Sequence, residues 1–440
     1  MKLEGWGRFP VIEAKMTAPR GIEDLSKLVQ SGNAIARGNA RSYGDSAISP
    51  SNTIHMKHFN RMLAFDVERG QLIAEAGVML ADIIDTFIKQ GWFPSVTPGT
   101  KFVTIGGMIA ADVHGKNHHK DGSFGGYIDW IDILVGDGSI KRCSNAENTE
   151  LFNWTIGGMG LTGVILRAAI RLRRVPSAWI KKHTIVADNI AHVIEIFERS
   201  DSATYSVAWI DCLQKGSALG RSIVMLGEHA ELIDVPPKFR EVPMSIANKS
   251  KKNILFNFPN WILNKYSARL FNALYYWLAK RGPKMQIISW DDYFYPLDSV
   301  LGWNKIYGRR GFAQFQCVIP LQNSEKGISE ILTEISKANV GSFLAVLKRF
   351  GEQASNFSFP MKGYTLALDF PINKKTLLLM NRLDRITLKH NGRFYLAKDG
   401  RMSQEVFKKS EHRAEAYREF RRKNSTGEIF TSSQSKRLKF

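Results

Sequence analysis

Between Gln71 and Gln90 the rhythm of apolar positions changes. A short β-type run reaches Gly77, and then Leu80, Ile83, Ile84, Phe87 and Ile88 recur at the spacing of one helix face, which predicts strand, turn and helix. Ile131 to Val135 is β-rich, Gly136-Asp137-Gly138 supplies turn residues, and Ile140 resumes the apolar pattern, which predicts a hairpin. From Leu151 to Leu172 an apolar segment is broken by Gly157, Gly158, Gly160 and Gly163. Residues without side chains let another group approach the backbone closely, and a strand is expected from Val164 to Leu172. This first part of the chain reads as a mixed α+β unit.

Beyond Pro176 the pattern becomes strand-rich, with runs at Tyr205–Asp211, Ser222–Leu226, Phe312–Ile319, Phe343–Arg349 and Tyr364–Phe370 separated by helical stretches. An antiparallel sheet with covering helices fits this alternation. Side chains two apart share a strand face, so Gln314 and Gln316 lie together, as do Thr365, Ala367 and Asp369, while Lys348 lies between Val346 and Phe350. Such a polar face either lines a polar cavity or meets solvent, and alternation alone does not decide.

At 440 residues two domains are expected. The net charge of +20 attracts anions of many kinds, but its basic residues are scattered and no helix-turn-helix or RNP-type motif accompanies them, so nucleic-acid binding is not expected. Cys143, Cys212 and Cys317 are odd in number and far apart, which argues for buried thiols over disulfides or a zinc site. Residues Met1 to Pro10 lack the apolar run of a secretory signal, and no stretch approaches the roughly 20 apolar residues of a spanning helix. The expected location is cytoplasmic, with any membrane contact peripheral.

The sequence ARGNARSYGDS, from Ala36 to Ser46, sets Gly38 and Gly44 around Arg37 and Arg41. Amide donors on a glycine-bearing loop, with arginines beside them, suit a pyrophosphate, although the segment is neither GxGxxG nor GxxxxGK[ST] and taken alone reads equally as a basic turn. Thr97-Pro-Gly-Thr100 and the run VTIGGMIAA from Val103 add a second small-residue wall against which a flat ring can lie. Asp112-Val-His-Gly-Lys-Asn-His-His119 comes next; without HExxH spacing its histidines argue for a place beside a redox ring over a metal site.

These motifs, with GWGRFP near the start, GGMGLTGVI and FYLAKD, occur in an order that resembles the decaprenylphosphoryl-β-D-ribose 2-oxidase family, of the vanillyl-alcohol-oxidase type, from Gly5 to the C-terminus. The resemblance implies an FAD-binding domain of the PCMH type at 1–175, an antiparallel-sheet substrate domain at 176–392, and a return of 393–440 to the FAD domain. It implies FAD held without a covalent bond, since Arg41-Ser42 is followed by Tyr43 where several relatives in the wider superfamily carry a linking histidine. The FAD positions it implies are Ala36, Arg37, Gly38, Asn39, Ala40, Arg41, Ser42, Tyr43, Gly44, Asp45 and Ser46, then Gly99, Thr104, Ile105, Gly106, Gly107, Ala111, Asp112, Val113, His114, Ile165 and Tyr395. Substrate would meet Trp209, Phe294, Gln314, Gln316, Lys348, Thr365, Ala367 and Lys398.

The family's reaction moves hydride from a sugar carbinol to flavin while a base takes the hydroxyl proton, and Lys398, then His114, are the candidates for that base. An ordinary salt bridge from Lys398 to Asp399 is the plainer reading. Two positions depart from mycobacterial members: Ala367 replaces a cysteine beside the flavin, and Phe294 replaces a tyrosine. The expected substrate is therefore a polyprenyl-phosphate pentose or related glycan precursor, with an NAD(P)H-dependent keto-sugar reductase as a partner completing an epimerisation. A soluble aldonolactone or sugar-alcohol oxidase is the alternative, and a binding protein without catalysis a further one. Residues 246–284 join the basic run Lys249-Ser-Lys-Lys252 to two aromatic clusters, suited either to a mobile cover touching a membrane or to a packed helix pair.

Overall fold

A computed structural model describes residues 1–247, 252–259, 264–342 and 344–440. Near the N-terminus β1 (Ala34–Arg37) and β2 (Asn52–His55) pair in parallel, with Met16–Thr17 on the other side of β2. A six-stranded antiparallel sheet is built from β3 (Met62–Asp66), β4 (Gln71–Glu75), β5 (Trp92–Pro94), β6 (Ile128–Leu134), β7 (Ile140–Ser144) and β8 (Val164–Arg174), in the order β7-β6-β8-β4-β3, with β5 on β8. The predicted hairpin pairs Ile140 with Leu134. The predicted helix is α1 (Leu80–Phe87), which buries Leu80, Ile83, Ile84 and Phe87 as its spacing requires.

The second sheet has eight strands: β9 (Trp179–Ala187), β10 (Tyr205–Ile210), β11 (Ser222–His229), β12 (Met285–Ser289), β13 (Phe312–Pro320), β14 (Ala345–Phe350), β15 (Gly363–Pro371) and β16 (Arg393–Phe394). Their order is β12-β9-β11-β10-β14-β15-β13-β16, antiparallel throughout. The run expected from Phe343 begins at Ala345; Phe343 itself lies outside the described residues. Alternation gives this sheet two chemistries. Ala313, Phe315, Cys317 and Ile319 of β13 and Tyr364, Leu366, Leu368 and Phe370 of β15 pack in one core with apolar positions of helices 190–199, 324–338 and 374–389. The intervening Gln314, Gln316, Thr365 and Asp369 point the other way yet are buried, so that polar face is not a solvated one.

The last residues cross back to the first part of the chain. The Ala34 amide donates to Ile429 O at 2.6 Å, Ser433 N donates to Ile48 O at 2.7 Å, and β1 bridges in parallel to Phe430. Cys143, Cys212 and Cys317 are buried free thiols. No helix among the described residues is long and apolar enough to cross a membrane.

Within 246–284, Lys249, Ser250, Lys251, Trp261, Ile262 and Leu263 lie outside the described residues. The second aromatic cluster forms a single helix, α2 (Lys265–Arg281), its first turn closed by an Asn264 and Ser267 capping box. Asn272 donates to Asp211 at 2.7 Å and Tyr276 to Asp188 at 3.0 Å, fixing one stripe by polar bonds. Ala268 is buried as well, but most of the larger apolar positions stay out: Leu270 is 72% exposed, Leu274 52% and Trp277 48%, with Leu255 and Phe256 exposed nearby.

Candidate active site

A cleft of about 560 Å3 runs between the small-residue loops of the N-terminal part and the polar face of the second sheet. It lies in the size range of small-molecule and cofactor sites. One wall is loop 36–46, whose shape is set by what it touches. Tyr43 N donates to Ala397 O at 2.9 Å, Trp6 N donates to Ser42 O at 2.8 Å, and Asn39 Nδ2 donates to Phe102 O at 2.8 Å. A Cβ at Gly44 would stand 2.0 Å from Asp399 O, so only glycine allows this approach. The Arg41 guanidinium lies 4.0 Å from the Trp6 ring centre, and its Nε is buried without a partner.

Ala36, Gly38, Asn39, Ala40, Arg41, Ser42, Tyr43 and Ser46 line the cleft, as do Gly99, Thr104, Gly106, Gly107, Ala111, Val113, His114, Ile165 and Tyr395. Five expected cofactor residues do not. The Arg37 side chain donates to Glu4 O at 2.6 Å and Ala47 O at 3.4 Å; Gly44 is packed on the 399–400 backbone; Ile105 is sealed in the core. Asp45 is paired with Arg437 at 2.8 Å, and Asp112 accepts from Ser123, Gly125 and Gln353 at 2.6, 2.7 and 2.8 Å. They hold the loops behind the wall. Amides, small residues and an orphaned guanidinium nitrogen suit a pyrophosphate bearing a flat ring, so FAD fits these residues.

The opposite wall carries every expected substrate residue: Trp209, Phe294, Gln314, Gln316, Lys348, Thr365, Ala367 and Lys398. Lys398 makes no bridge to Asp399, which pairs instead with Arg437 at 2.9 Å. Its ammonium lies 3.8 Å from the centre of the Tyr43 ring. Desolvation pulls its proton affinity below the lysine norm and Lys348 adds to this, against the pull of Asp369. Lys348 is lowered to about 8 by burial.

The His114 tautomer is dictated by its neighbours. Thr365 Oγ1 donates to Cys317 O at 2.9 Å, so its lone pair accepts from Gln316 Nε2 at 3.2 Å. The second Gln316 amide hydrogen meets His114 Nε2 at 3.1 Å, which makes that nitrogen the acceptor. Nδ1 therefore carries the proton; it is buried and has no well-formed hydrogen bond, only a weak pull from the Gly115 backbone. Burial, with Lys348, His118 and Lys398, holds the ring well below its usual pKa. A neutral imidazole with a free N–H donates a hydrogen bond and is no proton acceptor at that atom.

Sequence reasoning missed Lys116, two residues after His114. It donates to the Tyr293 carbonyl, lies 4.1 Å from the Tyr293 ring centre, and is lowered to about 7 by burial, with Lys348 and Lys182 contributing. The signal was present in the DVHGKNHH motif, whose lysine was passed over for its histidines. Trp6, Asp298 and Trp303 were missed as well, because they reach the cleft from distant loops. His118 accepts the Gly351 amide at 3.2 Å and reaches Gln353 Oε1 at 2.6 Å; His119 reaches Ala203 O at 2.8 Å. Both tie one wall to the other outside the cleft. Phe294 is packed among Phe93, Tyr205 and Tyr293 where it lines the cavity.

A family model described as an FAD binding domain matches residues 15–144. The chain is 32% identical to decaprenylphosphoryl-β-D-ribose oxidase of Mycolicibacterium smegmatis over 99% of its own length and 97% of that protein's. It is 28% identical to bovine (Bos taurus) L-gulonolactone oxidase over 42% of each chain, and 28% identical to cytokinin dehydrogenase 5 of Arabidopsis thaliana over 37% of this chain and 33% of the other. The match to the mycobacterial oxidase runs through both walls of the cleft, and with the FAD binding domain it settles the family: the chain belongs to the decaprenylphosphoryl-β-D-ribose oxidase family and is an FAD-dependent oxidoreductase.

Proposed function

We propose that the protein oxidises a hydroxyl of a polyprenyl-phosphate sugar to the ketone, with the 2-hydroxyl of a pentose as the favoured position. Bound FAD, held non-covalently, supplies the acceptor for the hydride. Lys398, kept short of a proton by its surroundings, takes the hydroxyl proton: the substrate O–H bond breaks as an N–H bond forms. His114 donates from Nδ1 to an oxygen or nitrogen in the cleft and holds it in line. Gln314 and Gln316 spend their amide nitrogens on Asp369, Tyr43, Thr365 and His114, which leaves their carbonyl oxygens to accept from sugar hydroxyls, and Lys116 and Lys348 supply positive charge for the phosphate.

The observation that carries this reading is the coupling of a lysine-lined cavity to an exposed apolar helix. Phe271 and Tyr275 of α2 line the cleft, while Leu270, Leu274 and Trp277 beside them face outward. Such a patch on a surface otherwise polar marks an interaction site. Aromatic residues followed by Lys280 and Arg281 suit a headgroup boundary, where each cation contributes about 1 kcal/mol on anionic lipid. We read residues 246–284 as a cover for the polyprenyl chain that touches the inner face of the membrane. The ketone product then requires a reductase, NAD(P)H-dependent in this reading, to complete an epimerisation.

The similarity to L-gulonolactone oxidase favours the alternative, oxidation of a free aldonolactone or sugar alcohol, but that substrate leaves the apolar face of α2 without a role. The two are separated by replacing 246–284 with a short Gly/Ser linker. Loss of co-sedimentation with anionic vesicles and of turnover on a long-chain substrate is expected. Equal vesicle binding and undiminished long-chain turnover overturn the membrane reading.

A further inference from the structure

The wall of the cleft hides an ionisable group that the reaction as proposed does not use. Asp369, on β15, is fully buried. Its Oδ1 accepts from Gln314 Nε2 at 2.6 Å, and its backbone N–H donates to Ser342 Oγ at 2.9 Å, but Oδ2 has no partner. A carboxylate out of water and short of hydrogen bonds is costly, and such groups concentrate where charge is used. The Gln314 nitrogen that serves Asp369 also reaches the Tyr43 hydroxyl at 3.4 Å. The face of the Tyr43 ring is where the Lys398 ammonium rests.

We propose that Asp369 is a positioning residue for the oxidation, the buried negative charge that keeps Lys398 on the Tyr43 ring and stabilises the ammonium formed when Lys398 takes the substrate's proton. The inference rests on the reading of Lys398 as proton acceptor. It answers a difficulty that reading creates. Lys348, on neighbouring β14, repels a second ammonium, so a base at Lys398 would be weak without an opposing charge.

The groups facing the pair leave Asp369 that task. Tyr43, from loop 36–46, and Tyr307, ahead of β13, are phenols raised well above their usual pKa by burial, with Asp369 adding to it, and stay neutral. His114 is neutral, and Gln314 carries no charge. Arg41 and Asp298, from the loops on the other side of Tyr43, act on its phenol in opposite senses, while Lys348 is the cation and Asp369 the acid that act on Lys398. Burial raises the proton affinity of Asp369, while Gln314 and Lys398 lower it.

The test is Asp369→Asn in the holoenzyme. The pH dependence of Lys398 acetylation by trace acetic anhydride, read on its peptide by mass spectrometry, reports the amine without turnover. With the carboxylate gone, the labelling midpoint falls by about one pH unit or more, the scale for loss of a nearby opposite charge, while Asp369→Glu holds it near the wild-type value. The rising limb of anaerobic flavin bleaching by farnesylphosphoryl-β-D-ribose moves in the same direction. An unmoved midpoint in a folded Asp369→Asn protein overturns the proposal. Should that variant not fold, carbon-13 NMR of aspartate-labelled holoenzyme decides: an aspartate whose titration midpoint rises in Lys398→Met supports the proposal, and the absence of any aspartate that responds to that substitution refutes it. Wild-type bleaching by Lys398→Met sinks the reading of Lys398 and this inference with it. Lost bleaching there, with an unmoved midpoint in Asp369→Asn, removes Asp369 alone.

Discussion

Replacing Lys398 by methionine separates the proton acceptor from the scaffold around it. The ammonium has no ion pair; its close neighbour is the Tyr43 ring, a contact of about 0.5–2 kcal/mol depending on desolvation. Against that contact stands the cost of holding an ammonium away from water. Because the folded pKa lies below the unfolded one, folding is penalised at every pH where the unfolded chain keeps the proton, and the penalty vanishes above the ordinary lysine value. Methionine removes the penalty and keeps most of the volume, but it also takes from Asp369 the cation that lowers its proton affinity, so the two effects on stability oppose each other and the rate carries the test. Loss of a positioned base slows the chemistry by about 10²–10⁴-fold, or roughly 3–5 kcal/mol of barrier. Stopped-flow bleaching of the flavin under anaerobic conditions, with farnesylphosphoryl-β-D-ribose, measures this directly. The wild-type rate should rise with pH as Lys398 loses its proton, well below the range of a free lysine, and the variant should lack that limb. An unaltered bleaching rate refutes the assignment.

Acid precipitation should release all of the FAD into the supernatant; flavin remaining with the polypeptide would show a covalent bond and contradict the place of Tyr43. Lys116→Met should raise KM for a phosphorylated substrate by about tenfold with little change in kcat, the pattern of a lost binding charge. In the wild type, KM should rise above about pH 7, where Lys116 loses the proton that makes it attractive to phosphate; a flat KM through this range argues against a phosphate role. Arg437→Ala strands two buried carboxylates, Asp45 and Asp399, which hold loop 36–46 and the Lys398 turn, and should cost about 3 kcal/mol and weaken FAD retention. Calorimetry showing no loss would mean that those carboxylates find other partners.

Much of this arrangement was legible in the sequence because strand period and helix period are local. The helix at Leu80–Phe87, the hairpin turning at Gly136–Gly138 and the two polar strand faces can be read from spacing alone. Whether the polar face of β13 and β15 met water was not legible, since it depends on loop 36–46 and Tyr395 coming from far along the chain to cover it. Arg37, Asp45 and Asp112 sit in cofactor motifs yet serve their neighbours, because a loop that cradles a ligand also needs its own carboxylates and guanidinium groups satisfied. Lys116 went unread for a related reason: a lysine between a glycine and an asparagine carries no periodicity, and its chemistry appears only once Tyr293 and Lys348 arrive from other elements. The exposed stripe of α2 has the same spacing as a buried helix face. Only its polar anchoring through Asn272 and Tyr276 shows that the apolar residues are the ones left outside.

The central claim is that the reducing substrate is a sugar carried on a polyprenyl phosphate. Oxygen-free holoenzyme mixed in parallel with farnesylphosphoryl-β-D-ribose, free D-ribose and L-gulono-1,4-lactone, at matched concentrations, tests it in one absorbance trace each. Rapid loss of the oxidised flavin band with the lipid-linked sugar, and none on that timescale with the other two, is the predicted result. Bleaching by the lactone with the lipid-linked sugar inert would contradict it.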